Sequence, residues 1–241
     1  MKYQKTILCV AMFVGLATAA GRHPDNPADG KMLSYIVDPA RQDIRMFWKN
    51  DSGAAFGNIG RLKADLEHRH QTLIFAMNGG MFKPDYSPVG LFIQDGRLIT
   101  ALDTASGAGN FYLKPNGVFY LTKTGHATIC QTKEFVENPG IRFATQSGPM
   151  LVIDGQIHPA FKEGSSNLNI RNGVGLLANG HLLFAMSKEP INFYDFADFF
   201  KTQGCRFALY LDGFVSKMYL PGHVVQTDGN LGVIIAVTAA P

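Results

Sequence analysis

Leu209-Tyr210-Leu211-Asp212-Gly213 is a short apolar run that ends in an acid and a glycine, and it has a counterpart far upstream in Phe75-Ala76-Met77-Asn78-Gly79-Gly80. Each run follows a stretch of helical periodicity. After Asn58, Ile59, Leu62 and Leu66 recur on one face; after Asn192, Phe193, Phe196, Ala197 and Phe200 form an apolar stripe. Asn192 suits an N-cap, Asp195 and Asp198 suit the early turns of a helix, and Gly204 suits its C-terminal stop. The pattern predicts two related helix–strand units, each delivering a polar side chain at the end of a buried strand. Such a side chain sits on a rigid element yet faces a loop-lined surface, where sites tend to lie.

Between these units one device repeats. Asp95-Gly96, Asn116-Gly117, Asp154-Gly155 and Asn179-Gly180 each lie between apolar-rich runs. Asn-Gly and Asp-Gly tolerate the positive φ angles of tight turns, which predicts hairpins over residues 91–100, 111–121, 150–158 and 174–186. Residues 33–37 and 44–48 read as strands joined across Asp38-Pro39-Ala40-Arg41, and residues 231–240 as a final buried strand. The expected class is α+β: a mixed, largely antiparallel sheet built from hairpins, continuous or split into two packed sheets, with two principal helices packed on it.

The first 20 residues read as an export signal. Lys2 and Lys5 form a basic start, residues 6–17 are apolar but too short to span a bilayer, and Ala17-Thr18-Ala19 offers small residues for cleavage. Cleavage is expected after Ala19 or Ala20, giving a periplasmic or secreted protein. Residues 21–31, rich in Pro, Gly and Asp, read as a flexible arm, and residues 32–241 as one domain with room for a sizeable core. Without Lys2 and Lys5, 20 basic residues face 19 acidic ones. That balance points to no nucleic-acid partner and no anionic membrane, and the mature chain is expected to lack a transmembrane segment. Cys130 and Cys205 read as two buried free thiols, although an oxidising compartment would permit a disulfide.

Four motifs can carry chemistry. Asn78-Gly79-Gly80-Met81-Phe82 pairs an amide that donates and accepts with glycines that let backbone approach a ligand; its bland alternative is a tight turn. Asp212 ends a wholly apolar strand, where a carboxylate is costly unless paired or working, but an Asx-turn is a common use of Asp-Gly. Ser216 and Lys217 follow closely and could hold its carboxylate. Arg171-Asn172-Gly173 presents a guanidinium suited to phosphate or carboxylate oxygens, or to a surface ion pair. Gln146-Ser147-Gly148-Pro149 is a polar corner. Gly173-Val174-Gly175 loosely matches a dinucleotide fingerprint but runs into a hairpin rather than a helix. His68 and His70 lie two apart on a helix and face different ways, so no metal and no cofactor is expected.

Taken in order, Asn78-Gly79-Gly80-Met81-Phe82, Ser147-Gly148-Pro149, Arg171-Asn172-Gly173-Val174-Gly175 and Leu211-Asp212-Gly213 resemble the phosphodiester glycosidase family. The resemblance implies an exported hydrolase acting on a small or polymeric glycosyl phosphate, N-acetylglucosamine-like, at the sugar C1–O bond. It gives Arg171 the phosphate, Asp212 the water or the cationic sugar carbon, and Asn78 with the amides of Gly79 and Gly80 the sugar. Ser147, Gly148, Asn172, Gly213 and Ser216 become further substrate contacts. The chain departs from the family at Phe214 and Val215, where further glycines are usual before the serine. That departure leaves a second reading, a carbohydrate-binding or envelope-associated module without catalysis. A third, a scaffold with no small ligand, expects Asn78, Arg171 and Asp212 to lie apart.

Overall fold

The computed structural model of the chain describes residues 29–239. The expected export signal and residues 21–28 of the expected arm lie outside that range. The last arm residues, Asp29–Lys31, instead form a 3-10 turn that leads into β1 (Met32–Val37). β2 (Asp43–Phe47) follows, then α1 (Ile59–His68) and β3 (Thr72–Asn78). The middle of the chain runs through β4 (Phe92–Gln94), β5 (Arg97–Thr100), β6 (Gly117–Thr122), β7 (Ala127–Gln131), β8 (Ile141–Ser147), β9 (Met150–Ile153) and β10 (Gln156–Ile157). The remainder is β11 (Asn172–Leu177), β12 (Leu182–Ser187), α2 (Phe193–Thr202), β13 (Cys205–Asp212), β14 (Met218–Leu220), β15 (Val224–Val225) and β16 (Ile234–Ala239).

The strands form three antiparallel sheets, not one or two. Their orders are β1-β12-β11-β13-β9-β10, β15-β14-β3-β16-β2 and β5-β4-β8-β6-β7. Phe75 and Met77 of the second sheet, Phe92, Phe119 and Phe143 of the third, and Val174, Phe184, Leu209 and Leu211 of the first share one buried core. The class is α+β, as expected. α1 lays Ile59, Leu62 and Leu66 on the outer face of the second sheet against Ala76 and Ile234, and α2 lays Phe193, Phe196 and Phe200 on the first against Leu151, Ala208 and Tyr210. Both helices start on the expected asparagine: Asn58 accepts from the Arg61 N–H and Asn192 from the Asp195 N–H.

Three of the four predicted hairpins form, at Asp95-Gly96, Asp154-Gly155 and Asn179-Gly180. Asn116-Gly117 does not turn the chain. Asn116 is buried with its Nδ2 donating to the Phe111 carbonyl, and residues 110–112 are a 3-10 turn rather than a strand. Gly117 opens β6 in a place where a Cβ would lie 2.3 Å from Met150 Sδ, so the glycine serves packing, and the hairpin turns later, between β6 and β7. The strands β1 and β2 do flank the turn at residues 38–42, but they enter different sheets, pairing with β12 and β16. β16 lies between β3 and β2 in the second sheet. The Gly173-Val174-Gly175 motif is explained by helix packing: a Cβ at Gly175 would lie 2.5 Å from Cys205 Sγ and 2.7 Å from Phe200. Cys130 and Cys205 are free thiols, Cys205 buried and Cys130 partly so.

Candidate active site

A bulge builds the centre of the site. Asn172 pairs with Asp212 and Gly173 with Tyr210, so Leu211 is an extra residue on β13. A bulge re-aims the end of its strand and strips one residue of its ladder partner. The Leu211 carbonyl that this leaves over accepts the Ser147 hydroxyl at 2.7 Å, tying β8 to β13. Ser147 is fully buried, and Gly148, whose Cβ would strike Asn116 at 2.6 Å, is buried too. Both therefore brace the corner between two sheets.

Asn78 and Asp212 are linked through Asn172. The Asn172 Nδ2 donates to Asn78 Oδ1 at 2.6 Å, and the Asp212 N–H donates to Asn172 Oδ1 at 2.8 Å. Asn78 Oδ1 also accepts the Lys217 N–H at 2.9 Å, which draws in the chain beyond Asp212. With two donors on its oxygen, the Asn78 amide is oriented, and its buried Nδ2 has no partner among the described residues. An unmet buried donor is unfavourable by a kilocalorie or more, which a bound acceptor would relieve. The Gly79 N–H, expected to face a ligand, is instead taken by the Val233 carbonyl at 2.8 Å. Gly79 also packs on Ile235, and its own carbonyl accepts the Thr145 hydroxyl at 2.8 Å. A Cβ on Gly80 would lie 2.9 Å from that same hydroxyl.

The Asp212 carboxylate is buried, and its Oδ1 accepts the Phe214 N–H at 3.0 Å. Burial pushes its carboxyl up to about 6, opposed by the backbone N–H groups of Phe214, Gly213 and Val215. Neither Ser216 nor Lys217 holds the carboxylate. The Ser216 hydroxyl donates to the Asp212 main-chain carbonyl at 2.9 Å, and Lys217 Nζ pairs with Asp228. Among the described residues Asp212 has no ion-pair partner.

Arg171 is a second buried charge without an ion pair among the described residues. Its Nε donates to the Ile191 carbonyl at 2.7 Å and its Nη2 to the Asn167 carbonyl at 2.8 Å, while its plane stacks on Phe193 with 3.6 Å to the ring centre. Only Nη1 is loosely held, 3.4 Å from the Tyr210 hydroxyl. Arg171 can therefore offer a ligand one arm of its fork. Burial pulls its pKa below the ordinary value, with Tyr210 opposing.

Tyr210 joins the two charges. Burial raises its phenol to about 12, Arg171 lowers it, Asp212 raises it, and the Asn110 side chain bonds to it. Its hydroxyl lies 1.5 Å from where a Gly213 Cβ would be, so position 213 accepts only glycine. Asn78, Arg171 and Asp212 are thus connected through Asn172 and Tyr210, contrary to the scaffold reading. The sequence reading missed Tyr210, Asn110, Asn167 and Thr145. An apolar-strand tyrosine two residues before the acid was the one available signal.

Two clefts flank this cluster. One, about 230 Å³, is lined by Asn110, Phe161, Lys162, Asn167 and Phe193, partners and neighbours of Arg171 and Tyr210. The other, about 520 Å³, is walled by the turn from Gly213 to Lys217 together with Asn169, Ser187, Lys188 and Gln226. No helix among the described residues is long and apolar enough to cross a membrane.

Residues 71–236 match the model of the phosphodiester glycosidase family. The chain is 40% identical over 195 residues to the uncharacterized protein YigE of Escherichia coli K12, covering 80% of this chain and 75% of the relative. In fold it is similar to the catalytic domain of zebrafish N-acetylglucosamine-1-phosphodiester alpha-N-acetylglucosaminidase, auto-inhibited by its pro-peptide. That match has a TM-score of 0.60 and 16% identity, over 90% of this chain and 86% of that one. A hypothetical protein from Synechocystis is similar with a TM-score of 0.54 and 13% identity, over 87% and 60% of the two chains. With its family model spanning all four motifs, this chain belongs to the phosphodiester glycosidase family.

Proposed function

We propose that the protein is an exported hydrolase that splits the C1–O bond of a glycosyl phosphodiester, with an N-acetylglucosamine-like sugar on the glycosyl side. The observation that carries this reading is the pair of buried opposite charges, Asp212 and Arg171, held beside one phenol without neutralising one another. Unpaired buried charges are unfavourable for folding and cluster at working sites.

In this reading water adds to C1 and gives its proton to the Asp212 carboxylate, while the C1–O electron pair leaves with the phosphate. The leaving group becomes a phosphate monoester, whose second pKa is about 6, so its departure needs little protonation. One carboxylate then suffices where ordinary glycosidases use two. Arg171 Nη1 and the Tyr210 hydroxyl supply fixed positive potential for the charge that develops on phosphate. The unpartnered Asn78 Nδ2 meets an oxygen of the sugar, and Gly80 lets backbone approach it. Asn172, Ser147, Gly148, Gly213 and Ser216 hold these groups in place. Export is proposed from the basic start and apolar run of residues 2–17.

Hydrolysis of a chromogenic sugar-1-phosphodiester tests the reading. Wild type is expected to turn over and Asp212→Asn to lose at least about a thousandfold in kcat/KM, on the scale of a removed catalytic group. Retained activity in that variant refutes the role. The engagement of Nε and Nη2 of Arg171 by its own chain favours the second reading, a sugar-binding module. Saturable binding by wild type without product would select it.

A further inference from the structure

Arg171 is fixed within its own plane by hydrogen bonds, Nε to the Ile191 carbonyl and Nη2 to the Asn167 carbonyl. Bonds in the plane of a guanidinium leave its tilt to whatever lies against its face. That surface is Phe193, whose ring centre lies 3.6 Å from Arg171 Cζ. Phe193 has a second flat neighbour. The Phe161 ring lies nearly parallel to it, with 4.9 Å between centroids and 9° between planes. At van der Waals spacing one ring face cannot hold both groups, so Phe161 covers the face that Arg171 leaves. The imidazole of His158 stacks on Phe161 in turn, at 4.7 Å and 23°. The result is a column of four flat groups, His158, Phe161, Phe193 and Arg171, that ends at the site.

The far end of this column is anchored. His158 is buried, its main-chain N–H donates to the Leu151 carbonyl, and its Nδ1 accepts the Ala160 N–H at 3.1 Å. The two inner rings come from different elements. Phe193 opens α2, whereas Phe161 stands in the loop between β10 and β11, the loop that also supplies Asn167. Both rings line the 230 Å³ cleft. Without Phe161 that cleft would extend beneath Phe193, the ring would gain room to tilt, and the guanidinium would tilt with it. Nη1, held only by the Tyr210 hydroxyl at 3.4 Å, would then lose its aim. A support of this kind changes a rate without touching the reacting atoms.

We propose that Phe161 is a positioning residue, which through Phe193 sets the tilt of the Arg171 guanidinium and so the aim of Nη1. The inference rests on the hydrolytic reading only for what Nη1 is aimed at, the phosphate.

Nuclear magnetic resonance of the full chain carrying isotope-labelled arginine tests the tilt, with or without activity. The Arg171 Nε–H signal is identified by its loss in Arg171→Lys, and the Phe193 ring and the Ile191 carbonyl set it apart from free arginine. In Phe161→Ala and Phe161→Leu it is expected to move toward the free value; in Phe161→Tyr, which keeps a flat ring, it stays. With the chromogenic sugar-1-phosphodiester, kcat of Phe161→Ala is expected to fall about tenfold with KM within about threefold, because the support lost serves charge that develops in the transition state. Phe161→Tyr restores kcat, and Phe161→Leu, which keeps apolar bulk without a flat face, does not. An Arg171 signal unmoved in both Phe161→Ala and Phe161→Leu, an unchanged kcat in those variants, or full rescue by Phe161→Leu overturns the positioning role. If the signal moves as stated while wild type releases no product, the positioning stands and hydrolysis falls. If wild type turns over and neither variant alters signal or kcat, hydrolysis stands and the positioning falls. Phe161 is only partly buried, so Phe161→Ala is expected to lower the thermal midpoint by no more than a few degrees. Should it lower it further, Phe161→Leu carries the test.

Discussion

Asp212 makes the residue scale measurable. Its carboxyl is held at about 6 by burial, against an ordinary value of 3.8. An acid that binds its proton more tightly in the folded state favours folding below its unfolded value, and that advantage is lost as pH rises through the folded one. Asp212→Asn is therefore expected to stabilise the protein above about pH 6, by on the order of 1–3 kcal/mol, with the gap closing below about pH 4. Thermal unfolding of both proteins across that range checks the sign, and a variant that is less stable at neutral pH refutes it. If the carboxylate accepts a proton from water, kcat/KM falls on the acid side of about pH 6 and is flat above it. A profile rising toward acid would make Asp212 a proton donor instead. The residues of this cluster were legible in different degrees. Asn78 and Asp212 stood out because a polar residue closing an apolar strand conflicts with its surroundings. The engagement of Arg171 was not, because its partners Asn167 and Ile191 reach it through loop geometry that no periodicity encodes.

At the scale of elements, α2 supports the site through Phe193, the ring on which Arg171 stacks and which also meets Tyr210 edge-on at 4.8 Å. The helix begins at Asn192, whose Oδ1 accepts the Asp195 N–H at 2.8 Å while its Nδ2 donates to the Asp195 carboxylate at 2.9 Å. Asn192→Ala is expected to lower stability by about 1–2 kcal/mol in urea unfolding. It should also reduce turnover, because Phe193 opens the first turn; an unchanged unfolding midpoint would show that the cap contributes nothing. Both helices could be read from sequence because cap, stripe and stop agreed over ten residues. Hairpins were readable wherever Asn-Gly or Asp-Gly met only local demands. Asn116-Gly117 failed because Met150 and Cys130, distant in sequence, crowd the glycine and convert a turn signal into a packing device.

At the scale of the whole molecule, three sheets share one central core. Phe75 stacks on Tyr35 at 4.9 Å and meets Phe184 at 5.2 Å, so it binds the second sheet to the first. Phe184 in turn meets Phe119 of the third at 6.2 Å. Phe75→Ala is expected to cost about 3–5 kcal/mol. Its denaturant unfolding should remain a single transition seen alike by circular dichroism and by Trp48 fluorescence, whereas separate transitions would mean that the sheets hold themselves independently. The division into three sheets was hidden because each strand's partner is chosen by long-range pairing. β1 and β2 are neighbours in the chain and strangers in space.

β16 has a temporal meaning as well. Until residues 234–239 slide between β2 and β3, the strand that carries Asn78 lacks a flank, and Gly79 lacks the Val233 oxygen that fixes its bend. Assembly of the candidate site therefore waits on a strand that leaves the ribosome after Asn78, Arg171 and Asp212 have all been made.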